Sequence, residues 1–366
     1  MSIIHQDITQ LAAAREHKVR PIKPERLANG IVVRSPNWLG DAVMTLPAIQ
    51  SLRNMLPENA RLVVIAPPQC AQLFRLCPAV NSVLVIDSAH KKWQRKVFNK
   101  LARYKIKVGI LFNNSLRDAW QLRLAGIHEL YGRAARCRSF LLKRAFKFPK
   151  WQKKVLNESH HANEYLSMVC AMGGKRPDPL MPKLNSHLSM GQLTLKMQSF
   201  CQHPKLLLMA PGAAYGAAKR WESEKFNLVA AEYIRSGGIV AVLGSANERL
   251  IGEEVIANLP GNRAFNLAGE TNFSDLYNLI KSARACVAND SGIMHLAAAM
   301  GLPGVAVFGP TDYRATGPVS DKWLLVYDKE PCAPCFKRVC PSGGRNCMKK
   351  LQAAEVIAAL KQLNIL

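Results

Sequence analysis

Four stretches of this 366-residue chain carry side chains able to do chemistry. The first reads Arg34-Ser35-Pro36-Asn37-Trp38-Leu39-Gly40-Asp41 and opens a helical pattern with apolar positions Val43, Leu46 and Ile49. Asp41 at such a helix start either caps exposed N–H groups or faces a cleft as a general base. Gly40 allows backbone and ligand to approach closely. The second stretch, Ala210-Pro211-Gly212-Ala213-Ala214-Tyr215-Gly216-Ala217-Ala218-Lys219-Arg220-Trp221, is small-sided. Small residues let backbone N–H groups reach phosphate oxygens, and Lys219 or Arg220 adds charge. The third, Asn289-Asp290-Ser291-Gly292, runs into a helix expected over residues 293–300, closed by Gly301 and Pro303. Its free N–H groups and positive dipole end suit a diphosphate. His295, one turn in, points toward that site or is structural, and Asp290 is part of the site or a plain helix charge. The fourth is Cys332-x2-Cys335-x4-Cys340-x6-Cys347. Four thiols so close together form a structural zinc site or remain reduced in a Pro/Gly-rich loop; the spacing departs from paired C-x2-C knuckles.

The elements that must position these residues follow from apolar patterning. Short apolar runs at residues 31–33, 62–66, 83–86 and 108–112 read as strands with helical patterns between them. Residues 173–205 turn rich in Gly, Pro and polar side chains, as a connection does. The alternation restarts with strands at residues 206–210, 239–243, 285–288 and 305–308, and an amphipathic closing helix is expected over 353–363. Such alternation specifies an α/β protein of two doubly wound domains, whose ligands bind outside the carboxyl ends of the strands. There is no G-x-G-x-x-G after the first strand, no phosphate-binding P-loop, no H-E-x-x-H and no G-x-S-x-G.

Composition narrows the classes further. At 49% hydrophobic residues the chain can fill sizeable cores, and no apolar run is long enough to span a bilayer. The first residues lack the apolar centre of a signal peptide, so the reading is a soluble cytoplasmic protein with mostly reduced cysteines. The net charge of +25 is uneven: residues 1–180 hold 30 Lys/Arg against 11 Asp/Glu, and residues 90–154 hold 19 against 2. A basic half attracts nucleic acid, an anionic membrane or a phosphorylated lipid, or is simply a solvated face.

Taken together, S-P-N-W-L-G-D, P-G-A-x-x-G-x-A-K-R-W, N-L-A-G-E-T and N-D-S-G-I-M-H-L-A-A-A resemble glycosyltransferase family 9, in order and over about residues 31–318. The resemblance implies a GT-B fold, two Rossmann-like domains facing a central cleft. It implies inverting transfer of L-glycero-D-manno-heptose from ADP-heptose to the inner core of lipopolysaccharide, with no cofactor needed for catalysis. It makes Asp41 the general base beside Gly40 on the acceptor side, and Lys219 the contact to the donor phosphates. Asp290, Ser291, Gly292 and His295 match the donor-binding loop and helix start. Glu248 is matched to a carboxylate holding the ribose, and Thr271 to a place near the adenine. Related enzymes carry hydroxyl residues where this chain has Ala213 and Ala214, so phosphate contacts there fall to backbone N–H groups.

The expected layout is an N-terminal extension over 1–29, an acceptor-binding domain over 30–180 and a linker over 181–205. A donor-binding domain follows over 206–350 with its Cys-rich insert at 332–347, then a closing helix over 351–366. The acceptor would be lipid A–inner core lipopolysaccharide at the inner leaflet of the cytoplasmic membrane, which suits a basic N-terminal half and a peripheral location. Two alternatives stand beside this reading: a family 9 enzyme with another nucleotide sugar or acceptor, and, from a different class, a zinc-containing nucleic-acid binding protein, which lacks aromatic stacking motifs.

Overall fold

The computed structural model describes residues 2–5, 17–87, 93–148, 160–185 and 195–366. The strands, in chain order, are β1 (Ser2–His5), β2 (Gly30–Arg34), β3 (Arg61–Ala66), β4 (Ser82–Val85), β5 (Val108–Leu111), β6 (Glu129–Arg133) and β7 (Arg144–Phe146). They continue with β8 (Leu206–Ala210), β9 (Ile239–Val242), β10 (Ala264–Asn266), β11 (Ala285–Asn289), β12 (Gly304–Phe308) and β13 (Trp323–Tyr327). The chain divides into two compact units, residues 9–188 and residues 1–8 with 189–366.

The unit of residues 9–188 is built on a six-stranded sheet in the order β4-β3-β2-β5-β6-β7, parallel throughout. Its central strands are buried on both faces, which is why β2, β3 and β5 read as unbroken apolar runs. The order reverses between β2 and β5, so the loops leaving these two strands diverge and leave a crevice. The helical pattern after β2 is two helices, Leu39–Met44 and Leu46–Met55. Pro47 lacks an N–H, and Thr45 Oγ donates to the Ala42 carbonyl at 2.6 Å, closing the first helix at the break.

The other unit carries a seven-stranded sheet, β1-β13-β12-β11-β8-β9-β10, reversing between β8 and β11. All its pairings are parallel except β1 with β13, where Ile4 lies opposite Leu325. The helix Ala353–Gln362 lays Val356, Ala359 and Leu360 into the same core as Leu207, Val229, Val287 and Val326. It is part of this unit's core.

The described parts of residues 1–29 each join one or other of the two units. Ser2–His5 adds an antiparallel edge strand, with Ile3 against the core. Arg20 and Ile22 donate backbone N–H groups to Ala171 and Met172 at 2.9 and 3.0 Å, and Pro24–Leu27 is a short helix. Residues 6–16 of the extension and 186–194 of the connection lie outside the described residues.

Candidate active site

The expected donor residues sit on loops leaving four neighbouring strands of one sheet, β11, β8, β9 and β10, at their carboxyl ends. Parallel register alone brings them to one edge. At the β8/β11 switch point, Asn289 is fully buried and ties the two strands' loops together. Its Nδ2 donates to the Pro211 carbonyl at 2.6 Å, and its Oδ1 accepts from the Trp221 N–H at 3.2 Å.

Lys219 and Asp290 meet here. Lys219 Nζ donates to Asp290 Oδ2 at 2.6 Å, both side chains being nearly buried. The same oxygen accepts from Thr311 Oγ at 2.7 Å and Thr316 Oγ at 3.1 Å. His295 Nε2 lies 3.9 Å from Asp290 Oδ1. Burial pushes the Asp290 carboxyl upward, but Lys219, His295 and the Thr311 hydroxyl outweigh it and hold the group below its ordinary value. The ammonium of Lys219 keeps two further N–H groups, and it stands 4.8 Å from the centre of the Tyr215 ring. Ser291 caps the helix Gly292–Ala299 by accepting from the Met294 N–H, so Gly292 is the first helical residue. Thr311 and Thr316 carry no motif signal, and only the fold brings them to Asp290.

Glu248 closes a capping box after β9. Its carboxylate accepts from the Ser245 N–H and hydroxyl, both at 2.8 Å. The carboxylate lies against Gly212, where any side chain would collide with it. Thr271 is partly exposed in the loop after β10, just before Asn272 caps the helix Phe273–Ser282.

The Cys-rich segment packs on the small-sided loop. Tyr215 OH donates to the Phe336 carbonyl at 2.9 Å, Ala218 N–H to the Arg338 carbonyl at 3.1 Å, and Arg345 to the Arg220 carbonyl at 3.2 Å. Gly216 has no room for a side chain because the Arg338 backbone fills that place. Cys332, Cys335, Cys340 and Cys347 are free thiols, spread from exposed Cys332 to buried Cys347. Among the described residues no group of three or more His, Cys, Asp or Glu side chains is placed to hold a metal ion. The segment's visible role is to brace the loop that carries Lys219.

In the other unit, Asp41 and Gly40 lie in the first turn of Leu39–Met44, after β2. The N-cap of that helix is Trp38, not Asp41; the Asp41 carboxylate is one-third exposed and stands 3.9 Å from His161 Nδ1. Tyr165 is near enough that the charges of Asp41 and Glu164 add to burial in pushing its phenol well up, so it stays protonated. The loop bearing Asp41 is anchored across the β2/β5 switch point. Fully buried Arg34 donates Nε to Asp118 at 2.8 Å, Nη1 to the Ser35 carbonyl at 2.6 Å and Nη2 to Asn37 at 2.8 Å. Asn113 donates to the same Asp118 oxygen at 2.5 Å. Arg34, Asp118 and His161 were not legible as site residues. The one available signal was a cation ending the apolar run Ile31-Val32-Val33.

Two largely parallel sheets, each with a buried ion pair tying the loops at its switch point, place the fold in the α/β class of two Rossmann-like domains. Comparison with known proteins makes the assignment specific. Residues 94–345 match the model of glycosyltransferase family 9 (heptosyltransferase). The chain is 31% identical over 306 residues to lipooligosaccharide heptosyltransferase 2 of Haemophilus influenzae, covering 81% of this chain and 88% of that one. It is 30% identical over 304 residues to lipopolysaccharide heptosyltransferase 2 of Escherichia coli, covering 81% and 87%. The solved structure of E. coli ADP-heptose lps heptosyltransferase II superposes with a TM-score of 0.73 at 27% identity, covering 91% of this chain and 98% of that one. The chain belongs to glycosyltransferase family 9 and is a glycosyltransferase.

Proposed function

We propose that this enzyme transfers L-glycero-D-manno-heptose, with inversion, from ADP-heptose to the inner core of lipopolysaccharide. The observation that carries this reading is its identity, across four-fifths of its length, to enzymes named heptosyltransferase 2. The chemistry assigned to the residues is as follows. Asp41 takes the proton of the acceptor hydroxyl as that oxygen attacks the anomeric carbon. The bond to the ADP oxygen breaks on the opposite face. Lys219 and the helix start at Ser291 and Gly292 stabilise the charge gathering on the leaving diphosphate. Asp290 and His295 hold Lys219 and the helix in place, while Glu248 and Thr271 serve the ribose and adenine.

No cofactor enters this scheme. The acceptor is a lipid A–inner core molecule, and the enzyme works in the cytoplasm, peripheral at the inner leaflet. No helix among the described residues is long and apolar enough to cross a membrane. The domain roles follow: residues 30–180 serve the acceptor and 206–350 the donor. Incubation with ADP-heptose and a core-truncated lipopolysaccharide should add one heptose by mass. Transfer from UDP- or GDP-sugars, with none from ADP-heptose, would replace this reading with another family 9 specificity.

A further inference from the structure

We propose that the outward face of the helix Leu116–Leu124, with Phe140 beside it, docks the protein on an anionic phospholipid bilayer. The inward face of this helix is ordinary: Ala119 and Leu122 are fully buried in the core, and Asp118 and Gln121 are buried beside them. The outward face is not. Leu116, Trp120 and Leu124 are 40%, 51% and 63% exposed, and their spacing of four sets them in one line. Phe140, 70% exposed, lies in the turn Ser139–Leu141 packed against the same helix. A helix face turned to water is normally polar, so a line of Leu, Trp and Leu ending beside Phe calls for a covering partner.

The charge around this line says which partner. Residues 113–147 contain two carboxylates, Asp118 and Glu129, and both are buried and engaged, with Arg34 and Lys143. The charges left at the surface are basic: Arg136 and Lys147 are exposed, and Arg117 and Arg123 partly so. An apolar line on a helix that also bears Arg117 and Arg123, in a stretch whose unpaired charge is basic, matches the bilayer interface. Leu, Trp and Phe enter the acyl boundary while Lys and Arg meet anionic headgroups. Nucleic acid would satisfy the charge and leave the line uncovered. A second copy would set one basic stretch against another. The proposal rests on the preceding functional reading only for its purpose, bringing the enzyme to a lipid-borne acceptor; the binding itself needs neither donor nor acceptor.

The test is flotation of the full chain with phosphatidylethanolamine–phosphatidylglycerol vesicles and with pure phosphatidylcholine vesicles. We expect binding to the anionic vesicles, weakened by salt. The triple variant Leu116→Ser/Trp120→Ser/Leu124→Ser should lose it by about tenfold or more. The single variant Phe140→Ser, a milder change, should bind more weakly than the parent. An unchanged circular dichroism spectrum and a cooperative melting transition in each variant show that the mutated unit has kept its fold. Unchanged vesicle binding in both variants overturns the proposal. So does a dimer in sedimentation velocity that the triple variant abolishes, or nucleic-acid binding through this face without vesicle binding. Loss of heptose transfer by the parent chain, with vesicle binding intact, would instead remove the proposed activity and leave the docking face standing.

Discussion

Burial alone would raise the carboxyl of Asp290 above its ordinary value. Lys219, His295 and Thr311 reverse that and hold its carboxyl below the ordinary value. Its contribution to stability is therefore fully present above the unfolded carboxyl's value of about 3.9, and is lost as pH falls through the lower folded value. Urea midpoints measured from neutral pH into acid should stay level on this account until near that value and then drop. Asp290→Asn should flatten the drop and, by leaving Lys219 poorly paired, cost about 3–5 kcal/mol. Lys219→Ala should weaken ADP binding in calorimetry; unchanged affinity would remove Lys219 from the donor site. Asp41 makes a contrasting case. Asp41→Ala should lower kcat by about 10²–10⁴-fold while ADP affinity holds, and near-normal turnover would end its role as base. Motif order made Asp41, Lys219 and Asp290 legible in the sequence. That Lys219 spends one N–H on Asp290 was not, because 71 residues separate them and only the β8/β11 crossing brings them together.

At the scale of elements, the loops after β8 and β9 are interlocked by a missing side chain. Gly212 gives up its Cβ position to the Glu248 carboxylate, which in turn ties down Ser245. Gly212→Ala should push the carboxylate off its capping box and cost about 1–3 kcal/mol, the range for a disrupted cap or an overpacked contact. Chemical denaturation reads the loss, and a cost under a few tenths of a kcal/mol would mean that the loops yield freely. Strands buried on both faces were legible because their runs are wholly apolar, as in Leu206-Leu207-Leu208-Met209. Short strands were not: β10 has only Ala264, Phe265 and Asn266, and β6 mixes Glu129 and Arg133 with its apolar residues. Five apolar residues in β13, bounded by Lys322 and Asp328, were within reach of the same pattern. Nothing in Ser2-Ile3-Ile4-His5 announces a partner over three hundred residues away.

At the scale of the whole molecule, the unit bearing Lys219 and Asp290 is assembled from both ends of the chain. Deleting residues 1–8 strips β1 from β13 and leaves an open edge of unpaired N–H and carbonyl groups. The truncated protein should melt lower, by about 2–4 °C for each kcal/mol lost, and scatter more light on heating. An unaltered melting curve would show that β1 adds nothing to the sheet. The same pairing bears on synthesis. Ser2–His5 leaves the ribosome well before its partner strand, Trp323–Tyr327, which lies over three hundred residues later. At about 5–20 residues per second, Ile4 waits on the order of 15–60 s for Leu325. Before that wait ends the unit of residues 9–188 has all its strands and can fold, while Ser2–His5 stays unpaired until Trp323–Tyr327 is made.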